Sequence, residues 1–186
     1  LTDANDIVEA LEGLVQLMDD RYDLLRITGT RNIKEYNKFL DNGRLDSKVY
    51  KHMPYYVVII DEYGDLMMTA GMSFELPIAR IAQLARAVGI HLVISTQRPT
   101  SSIITGTIKA NFPCRIGLHV CAAIDSRIIL DVPGAHQLIG RGDLLFCGGG
   151  APIRIQGAYT DPMVEIVEIC QQIYRQYDHD EITVLD

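Results

Sequence analysis

Apolar side chains recur at three- and four-residue steps through Ile7, Leu11, Leu14, Met18, Tyr22 and Leu25, so the chain opens on a helix with one apolar face. Thr28, Gly29 and Thr30 end that periodicity. Asn32 followed by Glu35 has the form of a capping box and predicts a second helix over Ile33 to Leu40, before a polar loop of Asp41, Asn42, Gly43 and Arg44. The pattern then changes. Tyr55 to Ile60 reads YYVVII, an unbroken aromatic and β-branched run of the kind that forms a strand buried on both faces of a parallel sheet. A glycine-containing loop, a helix from Phe74 to Val88 and a second apolar strand, Ile90 to Ser95, complete a strand–helix–strand unit, right-handed by default.

Further along, a short helix near Ile108 precedes a third apolar stretch, Cys114 to Val120. Asp125 and Ser126 can cap a helix through Leu130. Leu144 to Cys147 and Ile153 to Gln156, joined across Gly148, Gly149 and Gly150, read as a hairpin. Asp161 as N-cap with Pro162 at the first helical position opens a last helix to about Tyr177. We divide the chain into one body, residues 1–177, and an acidic tail or linker, residues 178–186. The alternation of element types makes the class α/β.

Composition changes this picture little. A chain with 48% hydrophobic and 22% charged residues can build an ordinary core. No apolar run approaches the roughly 18 residues of a membrane span, and the acidic opening lacks the basic region of a signal peptide. A start at Leu1 rather than Met suggests a piece of a longer protein. Cys114, Cys121, Cys147 and Cys170 form no CxxC pair and no metal-like cluster with the histidines, which points to scattered buried thiols in a reducing, cytoplasmic setting. The net charge of −7 argues against a nucleic-acid partner unless cations are concentrated on one surface, such as the inside of a ring.

Asp61 and Glu62 follow YYVVII directly, at the carboxyl end of a strand, where open parallel sheets bind ligands. An apolar run followed by DE is the Walker B pattern. Asp61 would hold the Mg²⁺ that bridges nucleotide phosphates, and Glu62 would polarise the attacking water. Neighbouring side chains on an extended strand face opposite ways, which would give the two carboxylates separate tasks. The plainer alternative is an acidic pair that caps a loop. The next strand ends in Ser95, Thr96, Gln97, Arg98 and Pro99. Gln97, with a donor and an acceptor, suits a sensor of the γ-phosphate; alone, it is simply a polar strand end.

The segments VVIIDEYGDLMM, ARIAQLARAVGIHLVISTQRP, IITGTIKANFP, IDSRIILD and GAHQLIGRGDLLF occur in one order between Val15 and Tyr159. Together they resemble the motor domains of the FtsK/SpoIIIE family of ring-forming DNA pumps. The resemblance implies a P-loop NTPase (RecA-like) three-layer fold with a mostly parallel sheet, incomplete here and ending in a β-hairpin and a helix. It implies ATP and Mg²⁺ as cofactors, Asp61 and Glu62 as the Walker B pair, and Gln97 as the sensor. Arg86 would be the finger that reaches a neighbouring subunit's nucleotide, and is otherwise a surface arginine on an amphipathic helix; Arg80, six residues back and pointing elsewhere on the helix, is the second choice. Thr96, Arg98 and Arg127 would contact phosphates of double-stranded DNA from loops facing a central pore. Arg127 is otherwise half of an i,i+4 pair with Asp131, and Arg141 in GRGD reads as a turn residue. The family usually carries Lys where Ala123 stands, which removes one phosphate contact.

The loop GxxxxGK[ST] that cradles phosphates occurs nowhere in these residues. In the family it lies upstream of the segment matched by Leu1, and a winged-helix module that reads orienting DNA sequences lies downstream. These residues alone are expected to hydrolyse essentially no ATP. The reading is a fragment of an ATP-driven translocase acting in chromosome segregation and cell division. Its parent would be a homo-hexamer anchored at the inner membrane by an N-terminal region, with the motor on the cytoplasmic side and no membrane contact by this segment. The alternatives are another HerA-like ring ATPase, such as a conjugative coupling protein, and a non-catalytic assembly domain.

Overall fold

The computed structural model describes residues 4–161 and 163–176, which divide into two compact units, before and after the Pro113–Cys114 bond. In the first unit, α1 (Ala4–Thr28) buries Leu11, Leu14, Met18 and Leu25, the apolar face its spacing predicts. α2 (Ile33–Asp41) begins at Asn32, whose side-chain oxygen accepts the Glu35 amide at 3.0 Å. Glu35 returns its carboxylate to the Arg31 amide at 2.8 Å, one residue earlier than a capping box requires. The buried Asn37 side chain bonds both the amide and the carbonyl of Met53, each at 2.9 Å, and so fixes the chain's entry into the first strand.

That strand, β1 (Tyr56–Ile60), pairs in parallel with β2 (Ile90–Ile94), in register from Tyr56 opposite Ile90 to Ile60 opposite Ile94. Between them run α3 (Tyr63–Ala70), α4 (Met72–Leu84) and one 3-10 turn, Ala85–Val88. The expected loop before the helix is itself helical; Gly71, at φ 55° and ψ −128°, breaks what would otherwise be one long helix. Phe74, Ile78, Ile81, Ala85 and Val88 join the buried face of α1 in the core. The sheet contributes Ile60 and Ile90 to this core, while Val57, Ile59 and Val93 on its other face are 63%, 72% and 51% exposed. The expectation of a strand buried on both faces therefore fails within this unit, because among its described residues nothing covers the second face. α5 (Gly106–Asn111), capped by Thr105, closes the unit.

Two side chains of α1 hold the 3-10 turn by both ends. Tyr22 donates its hydroxyl to the Leu84 carbonyl at 2.7 Å, and Arg21 donates to the Val88 carbonyl at 2.7 Å. Arg21 is buried, with its guanidinium 4.8 Å from the centre of the Tyr56 ring. Arg80 pairs with Asp19 of α1 at 2.8 Å.

The second unit holds β3 (Cys114–Gly117), α6 (Ala123–Leu130), β4 (Asp143–Gly148), β5 (Ile153–Gln156) and α7 (Glu165–Gln176). The hairpin forms as its glycines predict, but the third apolar stretch joins it: β3 pairs antiparallel with β4, giving the order β3-β4-β5. The α/β class stands, with its described strands mixed rather than mostly parallel, since β4 rather than β2 supplies β3 with a hydrogen-bonding edge. Ser126 is buried and locks α6 to the chain that follows, donating to the Val132 carbonyl at 2.8 Å and accepting from the Ala135 amide at 3.0 Å. Buried Asp143 takes two bonds from Arg154, at 2.9 and 2.7 Å, and the Ile139 amide at 2.9 Å. Those donors, Arg154 foremost, hold its carboxyl down to about 2.

Asp161 accepts from the amides of Met163 and Val164 at 2.8 and 3.2 Å, capping the turn that leads into α7. Pro162, the end of that helix at Tyr177 and the acidic tail lie outside the described residues. Of the four thiols only Cys147 is buried; Cys114, Cys121 and Cys170 are exposed, contrary to the expectation of buried cysteines. Cys114 sits on the outer face of a strand and Cys170 on α7, a helix with no buried residue. Among the described residues, no helix is long and apolar enough to cross a membrane.

Gly89 connects the 3-10 turn to β2 at φ +79°, and a Cβ there would meet Ile33 Cδ1 at 2.4 Å and Tyr55 Cδ1 at 3.2 Å. Gly89→Ala adds a left-handed backbone penalty to overpacking, for an expected loss of about 2–5 kcal/mol. Urea unfolding with the midpoint as readout checks this.

Candidate functional site at two strand tips

Because β1 and β2 end in register, the residues after them stand side by side. The ladder continues past both strands: the Ser95 amide donates to the Ile60 carbonyl at 3.0 Å, and the Tyr63 amide donates to the Ser95 carbonyl at 2.8 Å. Held between these bonds, Glu62 takes the left-handed conformation at φ 43° and ψ 58°. A non-glycine residue there is strained by about 1–2 kcal/mol. This kink, not the alternation of an extended strand, is what separates the two carboxylates.

Asp61 Oδ1 accepts from the Ser95 hydroxyl at 2.6 Å and from the Glu62 amide at 3.0 Å. The Ser95 hydroxyl, and after it the Glu62 amide, hold this exposed carboxyl below its ordinary value; like any exposed aspartate it is ionised at neutral pH. Glu62 turns to the neighbouring tip. Its Oε1 accepts from the Thr96 hydroxyl at 2.8 Å and its Oε2 from the Gln97 amide at 3.1 Å. Thr96 Oγ1 in turn accepts from the Arg98 amide at 3.1 Å. The Arg98 guanidinium pairs with Asp65 at 3.3 Å and lies 3.3 Å from the Met68 sulfur. Gly64 makes room for this arrangement, since a Cβ on it would meet Glu62 Oε1 and Thr96 Oγ1, each at 3.0 Å.

The fold thus brings Asp61, Glu62, Thr96, Gln97 and Arg98 to one edge of the parallel pair. The Gln97 side chain is exposed there, and its backbone rather than its amide group binds Glu62. Arg86 is not among them. It is exposed on the 3-10 turn that leads into the start of β2, so the full strand, roughly 17 Å for five residues, separates it from Gln97. Arg80 is engaged by Asp19. Arg127 is exposed on α6 in the second unit, where Asp131 pairs with Arg115 of β3 at 2.7 Å. Arg141 lies at φ 56° between two glycines of positive φ, as a turn residue should.

Sequence reasoning missed the roles of Ser95, Gly64 and Asp65. A signal for Ser95 was present: aligning YVVII with IHLVI end to end sets DE beside ST.

The chemistry of the edge suits a metal–nucleotide complex. Mg²⁺ is commonly held by one or two carboxylates together with substrate phosphates rather than by an all-protein cage. Asp61 offers an ionised carboxylate, and among the described residues no group of three or more His, Cys, Asp or Glu side chains could hold a metal unaided.

The profile of the FtsK/SpoIIIE family matches residues 1–101, more than half of the chain. The chain is 49% identical over 188 aligned positions to the DNA translocase FtsK of Sporosarcina ureae, and 46% identical to the DNA translocase SpoIIIE of Bacillus subtilis; each match covers 98% of the chain and 24% of the relative. It thus spans about a quarter of the length of these relatives. Among solved structures, the pCW3 conjugation coupling protein TcpA with ATPγS matches at a TM-score of 0.80 and 30% identity, over 94% of this chain and 50% of that one. The fold is that of P-loop ATPase domains.

Ser95→Ala removes the main donor to Asp61, so the Asp61 carboxyl is expected to titrate at higher pH, moving up toward the ordinary aspartate value. A ¹³C NMR titration of the Asp61 carboxyl, compared with the parent chain, measures the direction; no upward movement means that the Ser95 hydroxyl is not what depresses it.

Proposed function

This chain belongs to the FtsK/SpoIIIE family, and on that premise we propose that it is part of an ATP-hydrolysing motor that drives double-stranded DNA through a ring. The observation that carries the reading is the pair of carboxylates on one strand tip facing the polar tip of the parallel neighbour, with Asp61 bound by Ser95 and Glu62 by Thr96 and Gln97.

Mg²⁺, when bound, would supply positive charge to offset that of the nucleotide phosphates. Asp61, oriented by Ser95, would hold that ion. Glu62 accepts a proton from, or orients, the water that attacks the γ-phosphate. The exposed Gln97 side chain senses that phosphate from the adjacent tip. Arg86 stands too far along β2 to serve its own site, so a finger role requires it to act on a neighbour's nucleotide, in keeping with a homo-hexameric ring whose sites lie at subunit interfaces.

Thr96, Arg98 and Arg127 contact DNA phosphates without reading bases, as a pump that accepts any sequence needs. A chain of net charge −7 can bind DNA only where its cations are concentrated on one surface. The phosphate-cradling loop would come from the rest of the parent, without which this segment is inactive. In the cell the parent acts in chromosome segregation and division, with its motor on the cytoplasmic side of an anchored N-terminal region. The coupling-protein alternative is supported by the structural likeness to TcpA, but the greater sequence identity to the DNA translocases favours the translocase.

In the full-length protein, Glu62→Gln is expected to lower DNA-stimulated ATP turnover at least about 10²-fold, the usual order for loss of a general base; unchanged turnover removes Glu62 from the mechanism. Arg86→Ala is expected to inactivate as well. Mixing the two inactive variants recovers partial turnover only if Arg86 and Glu62 of one site come from different subunits, so absence of recovery argues against the finger.

A further inference from the structure

The Glu62 carboxylate, proposed above to act on the attacking water, is already occupied, and by a residue proposed to contact DNA. We infer that Thr96 is a positioning residue for Glu62, latching its carboxylate while the loop is free of DNA and releasing it when a duplex phosphate takes the same hydroxyl. The inference rests on the proposed roles of Glu62 and of the 95–98 loop.

Both carboxylate oxygens of Glu62 are directed at this loop, Oε1 to the Thr96 hydroxyl at 2.8 Å and Oε2 to the Gln97 amide at 3.1 Å. A carboxylate whose two oxygens are both bonded to the loop is not turned toward an attacking water, and a general base must reach the proton it takes. A threonine hydroxyl carries one proton and can donate it once. Thr96 therefore cannot hold Glu62 and donate to a phosphate oxygen at the same time; one contact excludes the other. Its acceptor side is also taken, by the Arg98 amide at 3.1 Å, so the proton facing Glu62 is the hydroxyl's only donor.

The second phosphate ligand of the loop is held in the same fashion. Arg98 pairs with Asp65 at 3.3 Å, on side chains 53% and 58% exposed. An exposed pair of this kind is weak and readily exchanged for another anion. The two acids that occupy the loop, Glu62 and Asp65, belong to one segment at the end of β1, where the Asp65 amide bonds the Glu62 carbonyl at 3.1 Å. Without DNA, then, the Walker B segment presents two carboxylates to the groups that DNA phosphates would claim. Phosphate binding at the loop frees both, and the freed Glu62 can turn to water. The left-handed backbone of Glu62, at φ 43°, persists because the surrounding bonds hold it.

The test uses the full-length protein. Thr96→Val keeps the side-chain shape and removes the donor; it is expected to raise DNA-free ATP turnover about five- to tenfold, the size of one hydrogen bond, and to lower the ratio of DNA-stimulated to DNA-free turnover by the same factor. Thr96→Ser restores the parental ratio. A nucleotide-free measurement runs beside it and does not depend on the valine variant folding: duplex affinity of Glu62→Ala against Glu62→Gln. Glutamine retains an acceptor for Thr96 and alanine does not, so the alanine variant is expected to bind duplex several-fold more tightly. Unchanged DNA-free turnover in Thr96→Val together with weaker duplex binding makes Thr96 a phosphate contact only and overturns the latch, as does equal duplex affinity of the two Glu62 variants. Failure of the underlying mechanism has a different signature, full ATP turnover by Glu62→Gln.

Discussion

The parallel register of β1 and β2 is the constraint from which the site follows. Backbone pairing of Ile60 with Ile94, carried one step further by the Ser95 amide on the Ile60 carbonyl, fixes which polar residue stands beside which acid. A slip of one residue would point every side chain of β2 to the other face, burying Val93 and exposing Ile94. The core of the first unit opposes that slip because Ile60, Ile90, Leu92 and Ile94 pack against the helices. Side-chain chemistry at the tips is thus set by hydrophobic burial several residues away.

A second layer of control acts at the other end of β2. The 3-10 turn bearing Arg86 is bonded at Leu84 and Val88 to Tyr22 and Arg21 of α1. Arg21 is buried in an apolar setting, yet its carbonyl partner and the face of Tyr56 compensate for much of what water would have provided. Apolar packing and polar satisfaction agree on one placement of α1, the condition under which a sequence specifies a single structure.

Much of this was legible in the chain. The helical face of α1, both parallel strands, the hairpin and the Asn32 cap follow from local periodicity and capping chemistry, and the convergence of Asp61 and Gln97 follows from two strands that end alike. What was not legible depends on partners distant in sequence or on backbone choices with no local signal. Nothing in YYVVII tells that Val57 and Ile59 face outward in this unit while Ile60 does not. Cys114 to Val120 is as apolar as a parallel strand, and only the availability of β4 decides its pairing. The kink at Glu62 was unreadable because glutamate does not favour the left-handed region; it is imposed by bonds from Ser95 and the start of α3.

The double attachment of the 3-10 turn to α1 has a mechanical meaning. A short turn on a protein surface is ordinarily compliant, since few contacts restrain it. Here a push on Arg86 would be shared by two stiff struts and passed into a helix of 25 residues seated on the core. An arginine mounted in that way resists displacement, so a group bearing on it would have to move the helix and not the turn alone.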